Sequence, residues 1–308
     1  MKDEQKKTLN LLSIDLEDWF HILDLRNGLP STGEWDALPS RLELNTEIIL
    51  ELLSENKTIA TFFVLGWIAQ KYPGIIERIN ACGHEIACHG YRHDLISDLT
   101  PAEFRDDIRR AKLILEDTIG KKVKGYRGPG FSITLKNLWA FDVIAEEGFE
   151  YDATLYPGSH GHGGIPALPA TPFLLSTLRG HRIEEFPVTV ATLGKYRFGF
   201  SGGGYFRLFP FAMISGLIKG LNARKVPVMV YIHPRDLDPL TPRLKMSMKR
   251  RFKCYVNIAG SQKKLQKLLK RHNFATIQGW RNEWSESLEK ISLKGLPHNY
   301  KPHIITKR

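Results

Sequence analysis

Short apolar runs of strand length alternate with helix-patterned segments along most of this chain, and that alternation restricts its fold more than any other feature. Leu11 to Leu16 reads as a first strand, followed by a helix over Leu42 to Glu55 and a strand over Ile59 to Leu65 rich in β-branched and aromatic residues. A helix over Trp67 to Ala81 ends at Gly83, and Glu85 to Cys88 is a short strand. Pro101 opens a helix at its first turn, where proline is tolerated, and that helix runs to about Ile119. Val123 to Tyr126 is a strand, Leu135 to Glu147 a helix stopped by Gly148, and Val226 to Ile232 an almost continuous apolar run. Such a run suits a strand buried on both faces. The pattern predicts a mainly parallel sheet covered by helices, in the α/β class.

At 308 residues, with 42% hydrophobic and 25% charged positions, a large core is available. Three cysteines, Cys82, Cys88 and Cys254, have no Cys-x-x-Cys spacing, which excludes a disulfide framework and a thiolate zinc site. Cys88 reads best as a small buried side chain. The polar start, Met1 to Thr8, resembles no signal peptide, and no apolar stretch is long enough to cross a bilayer. A cytoplasmic location is therefore expected. The net charge of +11 gathers late, in Arg243 to Lys253 and Lys263 to Arg271, with no nucleic-acid-binding motif beside it. That argues against a nucleic-acid partner and leaves a solvated face, an anionic substrate or peripheral membrane contact. The sequence is silent on oligomeric state.

Four chemically loaded segments fall at or just after strand ends. They are Ser13-Ile14-Asp15-Leu16-Glu17-Asp18-Trp19, Gly83 to Asp94 with His89 and His93 spaced four apart, Tyr126-Arg127-Gly128-Pro129-Gly130-Phe131, and Val228 to Pro234 with His233. In α/β barrels the carboxyl ends of the strands form the active-site rim. Two histidines plus a carboxylate make a three-ligand site with open positions, suited to a catalytic zinc or similar divalent ion. Any one member has a bland alternative: a solvated strand end for the acids, an ion pair for Arg127, a core position for His233 or His84, solvent exposure for His160 and His162. Their joint occurrence in this order is what argues for a hydrolase.

Together the segments resemble the NodB-type polysaccharide deacetylases, the family 4 carbohydrate esterases. Gly83 through His93 resembles the family's Gly-His-Glu-Ile-Gly-Asn-His-Thr-x-x-His; Ser13-Ile14-Asp15 stands in place of its Thr-Phe-Asp-Asp. Arg127-Gly128-Pro129 corresponds to its Arg-x-Pro, Val230-Tyr231-Ile232-His233 to its late Leu-x-Ile-His, and Ala60 to Val64 to its second strand. The resemblance spans about residues 10 to 240. It implies a distorted (β/α) TIM-like barrel of about seven strands over 8–240, with a basic, largely helical extension over 241–308 packed on it. Glu185 to Val188, Gly202 to Arg207 and His233-Pro234 are similar to a subgroup tied to exopolysaccharide gene clusters.

The roles implied are Asp15 as base, Arg127 as its partner and His233 as general acid, with a divalent metal, zinc by preference, on His89 and His93. The family's second aspartate is missing, because Leu16 follows Asp15. Side chains alternate along a strand, so Asp15 and Glu17 share a face while Asp18 lies at the strand's end, and either Glu17 or Asp18 is the carboxylate ligand. Backbone N–H groups near Gly130 would help to hold an oxyanion, and Trp19, Phe20 and Tyr205 would stack on sugar rings. Asp152 falls where the family keeps an aspartate. The expected substrate is an N-acetylated amino sugar in a polysaccharide or its lipid-linked precursor. A cyclic amide hydrolase of allantoinase type and an inactive carbohydrate-binding relative are the competing readings.

Overall fold

The computed structural model describes residues 8–23, 33–194, 196–284 and 287–294, so parts of the polar start and of the last stretch of the 241–308 extension lie outside the described residues. Strand β1 (Asn10–Leu16) is buried along its whole length, as an apolar run in a covered parallel sheet should be. Parallel to it and to one another run β2 (Thr61–Val64), β3 (Glu85–Cys88), β4 (Gly125–Tyr126) and β5 (Tyr151–Asp152). Two antiparallel hairpins follow, β6 (Phe173–Ser176) with β7 (Arg182–Glu185) and β8 (Val190–Leu193) with β9 (Tyr196–Gly199). Then β10 (Met229–Ile232) returns to the free side of β1. The last strands, β11 (Phe274–Ala275) and β12 (Glu289–Ser292), join the edges of β1 and β6. The sheet order β10-β1-β2-β3-β4-β5-β7-β6-β12 is that of an α/β barrel whose closure between β7 and β10 is irregular. There the chain itself bridges the gap: Met229 N donates to Thr189 Oγ1 and Tyr231 N to the Ser201 carbonyl.

The covering helices are α1 (Leu42–Glu55), α2 (Gly66–Lys71), α3 (Pro73–Ala81), α4 (Pro101–Ile119) and α5 (Trp139–Glu146). Beyond the hairpins come α6 (Gly203–Leu208), α7 (Phe211–Asn222), α8 (Met248–Tyr255), α9 (Ile258–Arg271) and α10 (Ile277–Trp284). Helix α4 starts on a capping box between Thr100 and Glu103 and ends on Gly120 at φ 65°, so both ends are written in the sequence. The single helix expected over Trp67 to Ala81 is two, because Pro73 lacks an N–H and opens α3 after a break at Tyr72. No helix among the described residues is long and apolar enough to cross a membrane.

Strand alternation sorts the core into two layers. Leu12, Ile14 and Leu16 pack outward with Phe62, Val64 and Cys88 against the helices. Leu11, Phe63, Ala87 and Met229 point inward, where α10 sets Ile277 and Trp280 against them. Helix α10 thus fills the end of the barrel at which the strands begin, and Ile277 N and Gln278 N donate to Thr61 Oγ1 and Glu85 Oε2. The inward row of β1 continues through Ser13 and Asp15 to Glu17 at the opposite end.

Candidate active site

Strand register alone brings most of the site together. Leu16, Val64, Cys88 and Tyr126 are paired across β1 to β4, so Glu17, His89 and Arg127 are the next residues along their strands, at one level of the rim. Ile14 pairs with Ile232, which sets His233 beside Asp15. Backbone bonds carry the register past the strands: His89 N donates to the Val64 carbonyl and Arg127 N to that of Cys88. The turn bringing His93 back beside His89 passes through Gly90 at φ 76° and places His93 itself at φ 61°. A left-handed non-glycine residue costs roughly 1–3 kcal/mol and persists where surrounding contacts enforce it. Here Asp107 on α4 enforces it by accepting from Tyr91 N and Arg92 N.

Glu17, His89 and His93 converge. Glu17 Oε1 lies 3.0 Å from His93 Nε2 and 3.4 Å from His89 Nε2, with all three side chains buried. His89 Nδ1–H donates to the Arg127 carbonyl at 2.7 Å, which leaves the Nε2 lone pair facing Glu17. His93 Nε2 is buried yet has no hydrogen bond of acceptable geometry despite its closeness to Glu17. A buried imidazole nitrogen without a partner, beside a second one with a fixed tautomer and a carboxylate, is the donor set a divalent cation takes. Burial would push the Glu17 carboxyl up, but His93, His233, Arg235 and the bond with His89 together hold it well below the usual range. Burial lowers His93, favouring the neutral form that ligates.

A second set surrounds the same cavity. Arg127 is completely buried over the Phe63 ring and donates to Asp15 Oδ1 at 2.5 Å and Ser13 Oγ at 2.9 Å. His233 Nε2 stands 3.9 Å from Asp15 Oδ2 and 3.6 Å from Glu17 Oε1. Its Nδ1 is 3.0 Å from Asp236 Oδ2, and Asp236 is ion-paired with Arg207. Burial would raise the Asp236 carboxyl; Arg207, His233 and Arg235 instead hold it strongly depressed. Arg235 donates to Glu17 Oε2 at 2.7 Å, so the two oxygens of Glu17 are divided between the arginine and the histidines.

Three sequence expectations need correction or narrowing. Asp18 is turned away from the histidines: its oxygens accept from Trp19 N, Ser40 Oγ and Arg41 N, fixing the chain that leads into α1. The carboxylate brought to His89 and His93 is that of Glu17. Trp19 is no open stacking platform, because its ring is buried against Phe20 and its Nε1–H donates to the Pro39 carbonyl; Phe20 is buried as well. Tyr205 is partly exposed on α6, where its ring stacks on Phe209. Gly130 lies in the turn after Arg127 at φ 62°, and a Cβ there would strike Leu23 and Leu95.

His84, His160 and Cys88 take packing positions. His84 accepts from Ala60 N, and burial lowers it to about 4. His160 packs against Phe131 and Tyr156, and Cys88 faces the helix layer. Asp152 forms no part of the rim; it is buried beside Glu185.

Four residues of this cavity escaped the sequence reading. Arg235 and Asp236 follow His233-Pro234 directly, and a short turn of this kind folds the third residue back on the first, so Asp236 was recoverable. Arg207 closes the segment Gly202 to Arg207, but that resemblance gave it no role. His21 accepts from Asp18 N at Nδ1 and lies edge-on to Trp35, Trp67 and His93; burial first, then His93, depresses it. Its place in Asp18-Trp19-Phe20-His21 was the only hint.

Comparison with known proteins fits this geometry. Residues 34–142 match the family model described as "Polysaccharide deacetylase". Over that stretch the chain is similar to this family. Residues 153–281 match a second model, a domain of unknown function (DUF3473), which therefore takes in β6 to β11 and the His233 turn. A peptidoglycan-N-acetylglucosamine deacetylase of Bacillus cereus is 36% identical over 46% of this chain and 62% of its own length. The chain thus spans under two thirds of that relative. In solved structures the fold is shared with a putative polysaccharide deacetylase of Mycobacterium smegmatis (TM-score 0.62, 19% identity, 99% of this chain and 98% of that one). It is shared too with a Puue allantoinase (TM-score 0.58, 19% identity, 92% of each chain).

Proposed function

We propose that this protein is a metal-dependent N-deacetylase acting on an N-acetylated amino sugar, with Glu17, His89 and His93 as the metal ligands. The observation that carries this reading is the approach of Glu17 Oε1 to both histidine Nε2 atoms, with Asp15 on the same face of the same strand. A zinc or similar ion held there would supply a polarised acetyl carbonyl and a water of lowered pKa. The chain's own groups do the rest. Asp15, aimed by its hydrogen bond from Arg127, takes the proton of the attacking water. His233 gives a proton to the departing nitrogen through Nε2, while Asp236 receives Nδ1–H and stabilises the imidazolium, which itself is worth about 10² to 10⁴ in rate. The N–H groups of the turn at Gly130 are the candidates for holding the oxyanion, each such donor being worth roughly 3–4 kcal/mol.

The substrate proposed is a surface polysaccharide or its lipid-linked precursor, met on the cytoplasmic side. The named activity of the Bacillus cereus relative supports the amino sugar, and the free thiols Cys82, Cys88 and Cys254 suit a reducing compartment. Acetate release across a panel of N-acetylated oligosaccharides, run alongside metal quantification, tests the reading. Stoichiometric metal with release abolished in His89→Ala is the expected result. Metal-loaded protein inert on every N-acetyl sugar but opening cyclic ureides would replace it with the allantoinase-type activity, and protein that binds no metal would leave an inactive carbohydrate-binding relative.

A further inference from the structure

The basic segment after β10 has a composition and a placement that the catalytic site does not explain. Between Asp238 and Glu283 the chain has no Asp or Glu, yet it holds twelve Lys or Arg, more than the whole net charge of +11. Within it, α8 turns Tyr255 inward while Met248, Lys249, Arg251, Phe252 and Lys253 face solvent. Met248 is 88% exposed, Phe252 is 56% exposed, and Leu240 just before the helix is 76% exposed. Met248 and Phe252 are one helical turn apart, so they lie side by side on one face. Exposed apolar residues flanked by lysine and arginine, with no acid among them, are the makeup of an element lying in the bilayer interface. A nucleic acid or an acidic saccharide would use the cations but would leave Met248, Phe252 and Leu240 without a partner.

Helix α8 is also wired to the catalytic rim. The Lys253 carbonyl accepts from Arg207 Nη2 at 2.7 Å, and Arg207 pairs with Asp236, the residue that holds His233. We infer that α8 and the turn at Leu240 dock the protein on a membrane surface bearing anionic lipids, which sets the His233 side of the cavity near that surface. That the cavity there meets an acetylated sugar carried by a lipid rests on the deacetylase reading; the docking surface itself does not.

The test is sedimentation of the full chain with vesicles of phosphatidylcholine alone or of phosphatidylcholine mixed with phosphatidylglycerol, at low and high salt. Pelleting with the anionic vesicles only, weakened by salt, is expected, since each basic residue near such a surface multiplies partitioning by about fivefold. The paired variants Met248→Ser/Phe252→Ser and Lys249→Glu/Arg251→Glu should each lower partitioning by about tenfold or more. Both should still release acetate from a soluble N-acetylated chitooligosaccharide at the wild-type rate, a readout that also shows them folded. Protein that stays in the supernatant with anionic vesicles would overturn the inference, as would variants that pellet like wild type or binding confined to a duplex DNA control. Because sedimentation uses no substrate, a failed deacetylase assay would leave this result standing, and the reverse.

Discussion

At the residue scale, two neighbouring acids in one short segment do different work, and a pair of substitutions separates them. Glu17→Gln removes the charge between His89 and His93 while keeping the size of the side chain, so metal content and acetate release should fall together. Asp18→Ala removes an acceptor for Trp19 N, Ser40 Oγ and Arg41 N. It should lower stability by about 1–3 kcal/mol, the cost of leaving such donors unpaired, with activity per bound metal unchanged. Denaturation curves and metal analysis on the two variants decide the matter; metal loss in Asp18→Ala with retention in Glu17→Gln would reverse the assignment. Arg235 calls for a companion test, because it holds the far oxygen of Glu17 at 2.7 Å. Outer partners of ligands typically contribute about 10- to 100-fold in metal affinity. Arg235→Ala should weaken binding by that order, measured by competition with a chelator, and Arg235→Lys should recover part of it.

At the scale of elements, the sequence was most legible where one rule acts alone. The bounds of α4 follow from its caps and those of α1 and of the strand at Glu85 from periodicity and turn residues, and strand alternation puts Asp15 and Glu17 on one face. It was least legible where two rules compete. Between 156 and 204, Gly and Pro residues mask two hairpins whose strands are only four residues long. The choice between Glu17 and Asp18 was closed to sequence reasoning because the chain direction after β1 is set by contacts to Ser40 and Arg41, more than twenty residues on. The His89–His93 turn depends on a local feature that a substitution can probe. Gly90 sits at φ 76° and a Cβ there would approach Asp107 Oδ2 to 2.8 Å. Gly90→Ala should therefore strain the turn and dislodge the Asp107 clamp, costing more than about 1 kcal/mol and reducing metal content even though no ligand is altered. Normal metal content in a stably folded Gly90→Ala protein would show that the turn does not set the spacing.

At the scale of the whole molecule, the barrel wall behind the catalytic turn carries a buried acid pair that ties its stability to pH. Asp152 and Glu185 lie on adjacent strands, paired in register, and both are fully buried. Asp152 Oδ1 accepts from Thr154, whose hydroxyl in turn accepts from Gly128 N beside Arg127, and Glu185 Oε1 accepts from Leu155 N. Burial first, opposed by hydrogen bonds with Glu185 and then Thr154, raises Asp152 to about 6, and burial with repulsion from Asp152 raises Glu185 well above its usual value. The folded protein therefore binds a proton here more tightly than the unfolded chain does. The stability this contributes is fully present below about pH 4, where the unfolded carboxyls are protonated too, and is lost as pH rises through 6 and beyond. Glu185→Gln keeps the acceptor for Leu155 N and offers an N–H to Asp152, which removes the need for a shared proton. Relative to wild type it should gain stability as pH rises from 4 to 8, because the raised carboxyl of Glu185 no longer has to lose its proton in the folded state. Urea denaturation of both proteins across that range measures it. Parallel stability curves would mean that the two carboxyls do not share a proton and that this wall of the barrel is indifferent to pH.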